Sequence, residues 1–287
     1  MALSGYMRCP TSPMRPSVRR TSPGPPEAPA VETGYDGRVS TAASSVRDVP
    51  DLPDLRNLRE AGGMETSDGR RVRAGALWRS GTVAFLDDAQ VAALAAAGVH
   101  TRVDLRSPRE VSEGTADALR VMDSLHLEVH AGGRRWDFDA SHQAEWVAAH
   151  YAEFLVHSPE SFVTLARLVG RRERQGVLVH CTAGKDRTGV AVALMLRAVG
   201  VRDEAVIADY ARTEDAMPQL REQFQRLPSY QERLTDLPAE AFGSQPQAMQ
   251  VFLASVRARY GGARRYLTEH GLTDAELAAL EDALLED

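Results

Sequence analysis

The stretch Val177-Leu178-Val179-His180-Cys181-Thr182-Ala183-Gly184-Lys185-Asp186-Arg187-Thr188-Gly189 decides the fold. A short apolar run begins it and predicts a buried strand, whereas the apolar residues from Thr188 to Val199 predict a buried helix. A tight loop between strand and helix places its backbone N–H groups at the helix N-terminus. Because those donors lack partners within the helix and the helix dipole favours negative charge there, the loop is predicted to bind an anion.

The loop carries Cys181 and Arg187 with five residues between them. A guanidinium binds two phosphate oxygens at once, so the Cys181 sulfur would lie beneath the phosphorus. The thiolate is the reactive form of cysteine, and the helix N-terminus, Arg187 and Lys185 would supply the positive field that favours it. Thr188 could hydrogen-bond the sulfur and ease its departure in a second step. The alternative, a buried core thiol, leaves the cysteine–arginine spacing unexplained.

The segment from His180 to Gly189 resembles the signature loop of cysteine-dependent protein tyrosine phosphatases. Its Gly184-Lys185-Asp186-Arg187 part is similar to the bacterial PtpB-like group, tyrosine phosphatase family 3. Further stretches agree with that family, and the resemblance extends from about residue 49 to the end of the chain. These stretches are 57–63, 77–81, 103–107, 260–267 and 271–273.

The resemblance implies a phosphoric monoester hydrolase that works through a phosphocysteine on Cys181, needs no cofactor and binds no metal. The phosphate-binding residues that it implies are Thr182, Ala183, Gly184, Lys185, Asp186, Arg187 and Thr188. Lys185 is also similar to a residue in the loops of phosphoinositide phosphatases, so a second-phosphate contact is an expectation.

The leaving oxygen needs a proton, and a positioned acid typically contributes about 10²–10⁴-fold in rate. Asp104 is the first candidate because it ends a predicted strand at the same sheet edge as the loop. Asp186, within the loop, is the second candidate, although it could instead fix the loop or orient water. Asp104 has an alternative role too, in helix capping or in an ion pair with Arg106.

Three further residues are expected to support the loop. His180 precedes the nucleophile on the strand and is expected to be buried, shaping the loop through a backbone hydrogen bond. Arg79 and Arg106 each end a predicted strand and would add to a positive rim around the phosphate.

The composition limits the alternatives. With 287 residues and 43% hydrophobic content, the chain is long enough for one ordinary core. A net charge of −6 provides no global attraction to nucleic acid. The only cysteines are Cys9 and Cys181, which favours a reducing compartment over a disulfide framework. No apolar run reaches the roughly 18 residues of a membrane span, and no secretory signal is recognised.

Residues 1–46 are rich in Pro, Ser, Thr, Gly and Arg and lack hydrophobic periodicity, so they are predicted to be a disordered tail. The tail would either be dispensable or bind a partner through its proline-rich pieces. Residues 47–287 would form a single phosphatase domain. Strands and helices alternate along it, which predicts an α/β fold with a central, mostly parallel sheet, flanking helices and a C-terminal helical part.

The boundaries of the elements follow from periodicity and from capping residues. The strands are predicted over residues 54–60, 76–80, 99–105, 125–129 and 176–179. The helices are predicted over residues 87–97, 143–156, 161–169, 188–199, 203–213, 246–260, 263–270 and 273–285, with a short helix starting at Pro108.

An apolar set at helical spacing follows the fifth of these predicted helices. Its members are Met217, Leu220, Phe224, Leu227, Tyr230 and Leu234. Ordinary core packing is one interpretation. The family resemblance provides another, a helical lid over the active site at about residues 214–245, with Pro228, Pro238 and Gly243 as breaks around which it could move.

Three functions are compared. The first is a protein tyrosine phosphatase, acting on phosphorylated proteins and, as a second expectation, on phosphoserine, phosphothreonine or phosphoinositides. The second is an idle phosphate-binding module, which would not need a thiol. The third is a rhodanese-like sulfurtransferase, which the Arg187-Thr188-Gly189 ending fits poorly. The protein is expected to be a cytoplasmic monomer, with signal-less export as an open alternative.

Overall fold

The computed structural model describes residues 50–132, 140–174, 176–231 and 242–287. The predicted tail and Leu234 lie outside these ranges. The strands are β1 (Arg59–Glu60), β2 (Arg71–Val72), β3 (Leu77–Ser80), β4 (Thr101–Asp104), β5 (Asp123–His126), β6 (Val177–His180) and β7 (Leu285–Glu286).

The helices alternate with the strands and then dominate the C-terminal part. They are α1 (Asp88–Ala96), α2 (Pro108–Ser112), α3 (Gln143–His157), α4 (Pro159–Val169), α5 (Asp186–Ala198), α6 (Asp203–Ala211), α7 (Thr213–Phe224), α8 (Pro246–Tyr260), α9 (Ala263–Glu269) and α10 (Asp274–Leu284). Short 3-10 helices lie at Asp117–Val121, Ala140–His142 and Arg172–Arg174.

Five strands form the central sheet in the order β1-β3-β6-β4-β5. All neighbours are parallel except β1, which is antiparallel to β3. The strands β2 and β7 form a separate antiparallel pair. The predicted mostly parallel α/β fold is therefore confirmed.

The inner strands β3, β4 and β6 are buried on both faces, as the strands of parallel sheets usually are. Within β6, Val177 and Val179 point into a large core shared with α3, α4, α5, α8 and α9. Leu178 points to the opposite face, where it joins Trp78 and the apolar residues of α1. The middle of the sheet thus holds the strand that leads into the Cys181 loop, and its position is fixed from both sides.

Local signals place several elements where they were predicted. Capping boxes begin α1 at Asp87, α2 at Ser107 and α10 at Thr273. Each pairs the cap side chain with the backbone N–H three residues on, which satisfies donors that the helix leaves unpaired. Pro108 occupies the first turn of α2, where its missing N–H is not needed.

Other boundaries differ from the predictions. Only Arg59 and Glu60 of the predicted strand 54–60 pair with β3, because Asn57 adopts a left-handed conformation with φ of 62° that ends the extended run. The predicted strand 125–129 is displaced toward the N-terminus, since β5 aligns Asp123 with Thr101 and His126 with Asp104. The predicted helix 161–169 begins earlier, at Pro159, and the Ser161 hydroxyl donates to the Glu128 carbonyl at 2.7 Å. Within the described ranges, no helix combines the length and apolar character needed to cross a membrane.

Candidate active site

The loop after β6 lies at the carboxyl edge of the sheet, where β4 and β6 end side by side. Asp104 and His180 are register partners across these two strands. Helix α5 begins at Asp186, two residues earlier than the predicted start at Thr188. Asp186 and Arg187 are therefore in its first turn, where the helix dipole favours the acidic side chain.

The carbonyl groups of residues 182–184 all accept hydrogen bonds from outside the loop. The donors are Thr82 N to Thr182 O (2.8 Å), Asn57 Nδ2 to Ala183 O (2.9 Å) and Arg79 Nη2 to Gly184 O (2.7 Å). In a trans peptide the C=O and the following N–H point in opposite directions. The N–H groups of residues 183–185 consequently point toward the inside of the loop, which forms a cradle for an anion.

Two glycines make this loop geometry possible. Gly184 has a φ of +68°, and a Cβ there would overlap the carbonyl of Ser80 on β3. Gly189, in the first turns of α5, faces the ring of Tyr210, and an added Cβ would lie 3.2 Å from that ring. The loop can therefore pack against β3 only without a side chain at residue 184, whereas a side chain at residue 189 would require the Tyr210 ring of α6 to shift slightly.

The guanidinium of Arg187 is held by Glu110 of α2 through two hydrogen bonds of 2.6 and 2.7 Å. The same carboxylate accepts the Thr182 hydroxyl at 2.8 Å and the Ser107 backbone N–H at 3.0 Å. Burial alone would raise the pKa of Glu110, but the hydrogen bonds and charge of Arg187 lower it far below its usual range. Glu110 is thus a permanent anion that fixes the plane of the guanidinium.

Glu110 was not among the residues expected at the site. Its only local signal is the spacing from Ser107, which indicates a helix cap and not a contact with the phosphate loop. The contact with Arg187 joins residues 77 positions apart. The contact could have been predicted from two signals together: the cap at Ser107, and the end of the preceding predicted strand at the same sheet edge as the loop.

Asp104 is buried in a cluster of basic side chains. Arg106 donates to both of its carboxylate oxygens at 3.0 and 2.8 Å, and Arg102 donates at 3.4 Å. Burial raises the pKa of Asp104, but the charge that His180 acquires at low pH and the pairing with Arg106 outweigh burial and hold the pKa well below its usual range. A carboxylate that is 3% exposed and paired on both oxygens is poorly suited to donate a proton to substrate. The predicted role of Asp104 as general acid does not fit these surroundings.

Arg79 and Arg106 do not form the predicted positive rim. They are 2% and 1% exposed, so neither reaches solvent around the loop. Arg79 is ion-paired with the buried Asp209 of α6, which also pairs with Arg59. Arg106 donates its hydrogen bonds to Asp104 and to the carbonyls of Glu110 and Gly114. Arg79 supports the loop through the Gly184 carbonyl, whereas Arg106 connects Asp104 with α2 and the segment after it.

His180 is fully buried at the end of β6. Its Nε2 lies 3.4 Å from an Arg102 nitrogen, which can only donate, so Nδ1 carries the proton and donates to the Cys181 carbonyl at 3.2 Å. Burial lowers the pKa of His180 to about 4. The side chain is neutral at pH 7 and holds the first peptide of the loop.

Asp186 differs from Asp104 in that its side chain is about one-third exposed (34%). Its Oδ1 accepts the Tyr151 hydroxyl at 2.8 Å and lies 3.3 Å from the Lys185 ammonium. Burial acts to raise the pKa of Asp186, whereas the charge of Lys185 and the Tyr151 hydrogen bond lower it, and the net shift is downward. Of the two candidate acids, Asp186 is therefore the more exposed.

Lys185 is buried, and its ammonium donates to the carbonyls of Phe242 and Gly243 at 3.2 and 3.1 Å. The hydroxyl of Thr188 is also buried, and within the described part of the chain it has no hydrogen-bond partner, the Cys181 sulfur included. The hydrogen bond predicted between Thr188 and the sulfur is therefore not formed in this structure.

A small apolar cluster covers the loop. Five members of the predicted apolar set pack together with Ala183 of the loop: Met217, Leu220, Phe224, Leu227 and Tyr230. Cys181 and Arg187 are 2% and 8% exposed. Because Ala183 belongs to this cluster, the predicted core packing takes place against one residue of the phosphate loop.

A cysteine beneath a cradle of inward N–H groups, beside a fixed guanidinium at the start of a helix, defines a cysteine-dependent phosphatase site on an α/β fold. The chain belongs to the tyrosine phosphatase family, whose model matches residues 50–286. The predicted family and enzyme class are confirmed.

Three relatives illustrate the likeness. A Cupriavidus necator protein that carries the name of a tyrosine-protein phosphatase is 34% identical over 206 residues, 69% of this chain and 71% of its own. The triple specificity protein phosphatase PtpB of Mycobacterium tuberculosis is 28% identical, covering 75% of this chain and 92% of its own. A tyrosine-protein phosphatase of Nostoc commune is 28% identical, covering 73% and 74%.

Proposed function

We propose that this chain hydrolyses phosphotyrosine in proteins in two steps, with Cys181 as the nucleophile. One observation supports the proposal most strongly. The loop N–H groups point inward, because the loop carbonyls are hydrogen-bonded from outside, and they lie beside the Arg187 guanidinium that Glu110 fixes. These groups are positioned before substrate arrives. Little free energy is therefore needed to reorganise them when negative charge develops on the transferred phosphoryl group. A module that only binds phosphate would not need the buried thiol.

In the first step the Cys181 thiolate attacks phosphorus, and the bond between phosphorus and the tyrosine oxygen breaks. Asp186 gives its proton to the departing oxygen, and Arg187 binds two of the remaining phosphoryl oxygens. In the second step water attacks the phosphocysteine, Asp186 accepts a proton from that water, and the phosphorus–sulfur bond breaks to return the thiolate. The proton donated in the first step is thereby recovered in the second.

Asp186 replaces Asp104 as the proposed general acid. Its carboxylate is ionised in the free enzyme at neutral pH, because its pKa lies below its usual value. A phosphate dianion in the loop brings negative charge beside it, which favours the protonated form. The substrate thus helps to load the acid that protonates its own leaving group.

A leaving-group series tests this assignment. Asp186→Asn should slow alkyl phosphates far more than nitrophenyl phosphate, because a good leaving group departs with little protonation. Asp104→Asn should slow both substrates by a similar factor, since it unpairs Arg106 and disturbs the strand end beside the loop. A steep leaving-group dependence in Asp104→Asn, with a uniform loss in Asp186→Asn, would return the role to Asp104.

Access to Cys181 requires movement of the cover. The proposed lid comprises about residues 214–245. Ser229 attaches it to Glu113 at the end of α2, and Ser244 donates to Glu214 within the lid. Glu113→Gln should weaken the first attachment and raise the rate at which a bulky alkylating reagent modifies Cys181. An unchanged rate would favour a fixed cover.

Phosphoinositides are a second candidate substrate class, supported by Lys185. Its ammonium donates to the neutral carbonyls of Phe242 and Gly243 and lies 3.3 Å from Asp186, so a second phosphate group could replace the two carbonyls as its acceptor. Lys185→Met should then reduce turnover of a bisphosphorylated inositol lipid more than turnover of a phosphotyrosine peptide. An equal loss on both substrates would indicate a general role in the loop. Phosphoserine and phosphothreonine peptides complete the same substrate panel.

We extend the proposal to a monomer that acts in the cytoplasm, because a catalytic thiol is kept reduced there. Light scattering of the full chain and localisation of a tagged protein in its host test the two statements. A dimer at working concentrations, or recovery of the protein outside the cell, would contradict them.

A further inference from the structure

Two buried tyrosines form a hydrogen-bonded chain that ends on Asp186. Tyr151 of α3 donates its hydroxyl hydrogen to Asp186 Oδ1 at 2.8 Å. The Tyr210 hydroxyl of α6 lies 2.8 Å from the Tyr151 oxygen. Three separate helices, α3, α5 and α6, thus bring one side chain each to this point.

The direction of the chain follows from hydrogen-bond chemistry. An ionised carboxylate can only accept, so the single hydrogen of Tyr151 points to Asp186. Tyr151 has no further hydrogen to give to Tyr210, and Tyr210 must therefore donate to Tyr151. Both hydroxyl hydrogens point toward the carboxylate, and such aligned bonds strengthen one another.

Hydrogen bonds and packing together fix the positions of the two tyrosines. Both are fully buried, and burial raises the pKa of each well above its usual value, so both remain protonated donors. The Tyr151 ring meets Phe252 of α8 edge-on, with centroids 5.8 Å apart. Tyr210 fills the space that Gly189 leaves in α5. The Tyr151 hydroxyl therefore reaches Asp186 from the packed core, whereas the Asp186 side chain itself is partly exposed.

We propose that Tyr151, oriented by Tyr210, is the positioning residue of the general acid. Both contacts that the described residues make with the carboxylate, from Tyr151 and Lys185, go to Oδ1. The catalytic proton is therefore carried on Oδ2, the oxygen left to face the ester. The inference rests on the proposed function, because it takes Asp186 to be the acid.

Without Tyr151 the carboxylate keeps only the Lys185 contact and can rotate about its side-chain torsions. Only some of the resulting conformations of the Asp186 side chain then direct the proton toward the leaving oxygen. Since an acid contributes about 10²–10⁴-fold only when it is well placed, the loss should fall on esters that need protonation. Substrate binding by Arg187 and the loop N–H groups does not involve Tyr151 and should persist.

The test compares three tyrosine-to-phenylalanine variants, each of which removes one buried hydroxyl. Tyr151→Phe loses the donor to Asp186, and Tyr210→Phe loses the donor to Tyr151. Tyr266→Phe is the matched control, because its hydroxyl donates to the Leu155 carbonyl at 2.8 Å in the C-terminal core. Thermal unfolding of all three variants measures the loss of stability that they share.

The readout is kcat across a series of aryl and alkyl phosphates. We expect Tyr151→Phe to lose about tenfold or more on alkyl phosphates and little on nitrophenyl phosphate, with KM nearly unchanged. Tyr210→Phe should follow the same trend more weakly, and Tyr266→Phe should match the parent protein. A flat loss in Tyr151→Phe, or a trend equal to that of Tyr266→Phe, overturns the proposal.

The pH profile gives a second readout that a structural defect would not move. The groups facing the carboxylate are Lys185 at the start of α5, Tyr151 and His150 of α3, and, through Tyr151, Tyr210 of α6. Removing the Tyr151 donor raises the pKa of Asp186, so the basic limb of the rate profile should shift to higher pH in Tyr151→Phe. An unshifted limb contradicts the inference.

A double-mutant cycle with Asp186→Asn separates the two proposals. If Asp186 is the acid and Tyr151 positions it, Tyr151→Phe should have no further effect on alkyl phosphates in the Asp186→Asn background. If Asp186→Asn itself leaves the leaving-group dependence unchanged, the proposed function fails. If Asp186→Asn steepens that dependence and Tyr151→Phe does not, only the positioning role fails.

Discussion

Arg187 and Glu110 face each other through two nearly equal hydrogen bonds, although they belong to helices on different strand ends. Glu110 also caps α2 and accepts the hydroxyl of Thr182 in the phosphate loop. One carboxylate therefore connects the start of α2, the loop and the phosphate-binding guanidinium. The orientation of Arg187 is a property of the folded chain and does not wait for substrate.

Glu110→Gln should lower kcat/KM by roughly 10²-fold, because a misplaced guanidinium no longer matches the phosphoryl oxygens. The amide can accept only one of the two Arg187 hydrogen bonds, and its own N–H₂ group opposes the other. Steady-state kinetics on a phosphotyrosine peptide measure the effect. Glu276→Gln is the control, because Glu276 forms the same capping box in α10 far from the loop; equal losses in both variants would show that Glu110 acts only as a cap.

The contrast between Glu110 and Cys181 shows how far the sequence leads. The cysteine and the arginine lie in one short loop after a strand, so their spacing in the sequence is enough to predict their chemistry. Glu110 reaches Arg187 only because α2 and α5 start at the same sheet edge, and no local pattern encodes which carboxylate faces the guanidinium. For Asp104, both its place at that edge and the alternative ion pair with Arg106 were predicted, but the choice between that pairing and a role as acid depended on side-chain orientation.

Boundaries show the same division. The helix starts at Asp87 and Thr273 depend on local capping residues, and both were predicted. The start of the first strand was not, because Asn57 is left-handed and its side chain donates to the Ala183 carbonyl, a contact across 126 positions. Local signals therefore predict elements, and long-range hydrogen bonds help to decide where they begin.

The buried His180 predicts a pH window for stability. Its pKa is about 4 in the folded protein and about 6.5 in the unfolded chain, so below pH 6.5 the unfolded state binds the extra proton. Stability from this group is present above pH 6.5 and should fall by up to about 1.4 kcal/mol per pH unit as the pH drops toward 4. Urea unfolding at pH 7, 6 and 5 measures the slope.

His180→Asn provides the comparison, because its amide can still donate to the Cys181 carbonyl but does not titrate. The slope between pH 7 and 5 should be smaller in this variant than in the parent protein. Parallel curves for the two proteins would mean that His180 is not the group responsible.

Gly184→Ala should destabilise the loop by two separate effects. The left-handed φ of +68° costs a residue with a side chain roughly 1 kcal/mol, and the added Cβ would overlap the Ser80 carbonyl. Gly200→Ala carries the first effect alone, since its φ is +90° and nothing lies within 4 Å of an added Cβ. We expect Gly200→Ala to lose about 1 kcal/mol with activity retained, and Gly184→Ala to lose more stability and most activity.

Equal losses of stability in the two glycine variants, with activity retained in both, would show that the loop relaxes around the extra methyl group. In that case the close approach of Gly184 to β3 would not be needed for catalysis. Chemical unfolding and a phosphotyrosine assay, performed on the same preparations, distinguish the two outcomes.

The most direct test of the account is rapid acid quench of the enzyme during turnover of nitrophenyl phosphate, followed by intact-mass and peptide mass spectrometry. We predict one phosphoryl group per chain, on the peptide that contains Cys181, and neither phosphoryl group nor turnover in Cys181→Ser. A phosphoryl group on a different residue, or sustained turnover by the Cys181→Ser protein, would contradict the phosphocysteine mechanism.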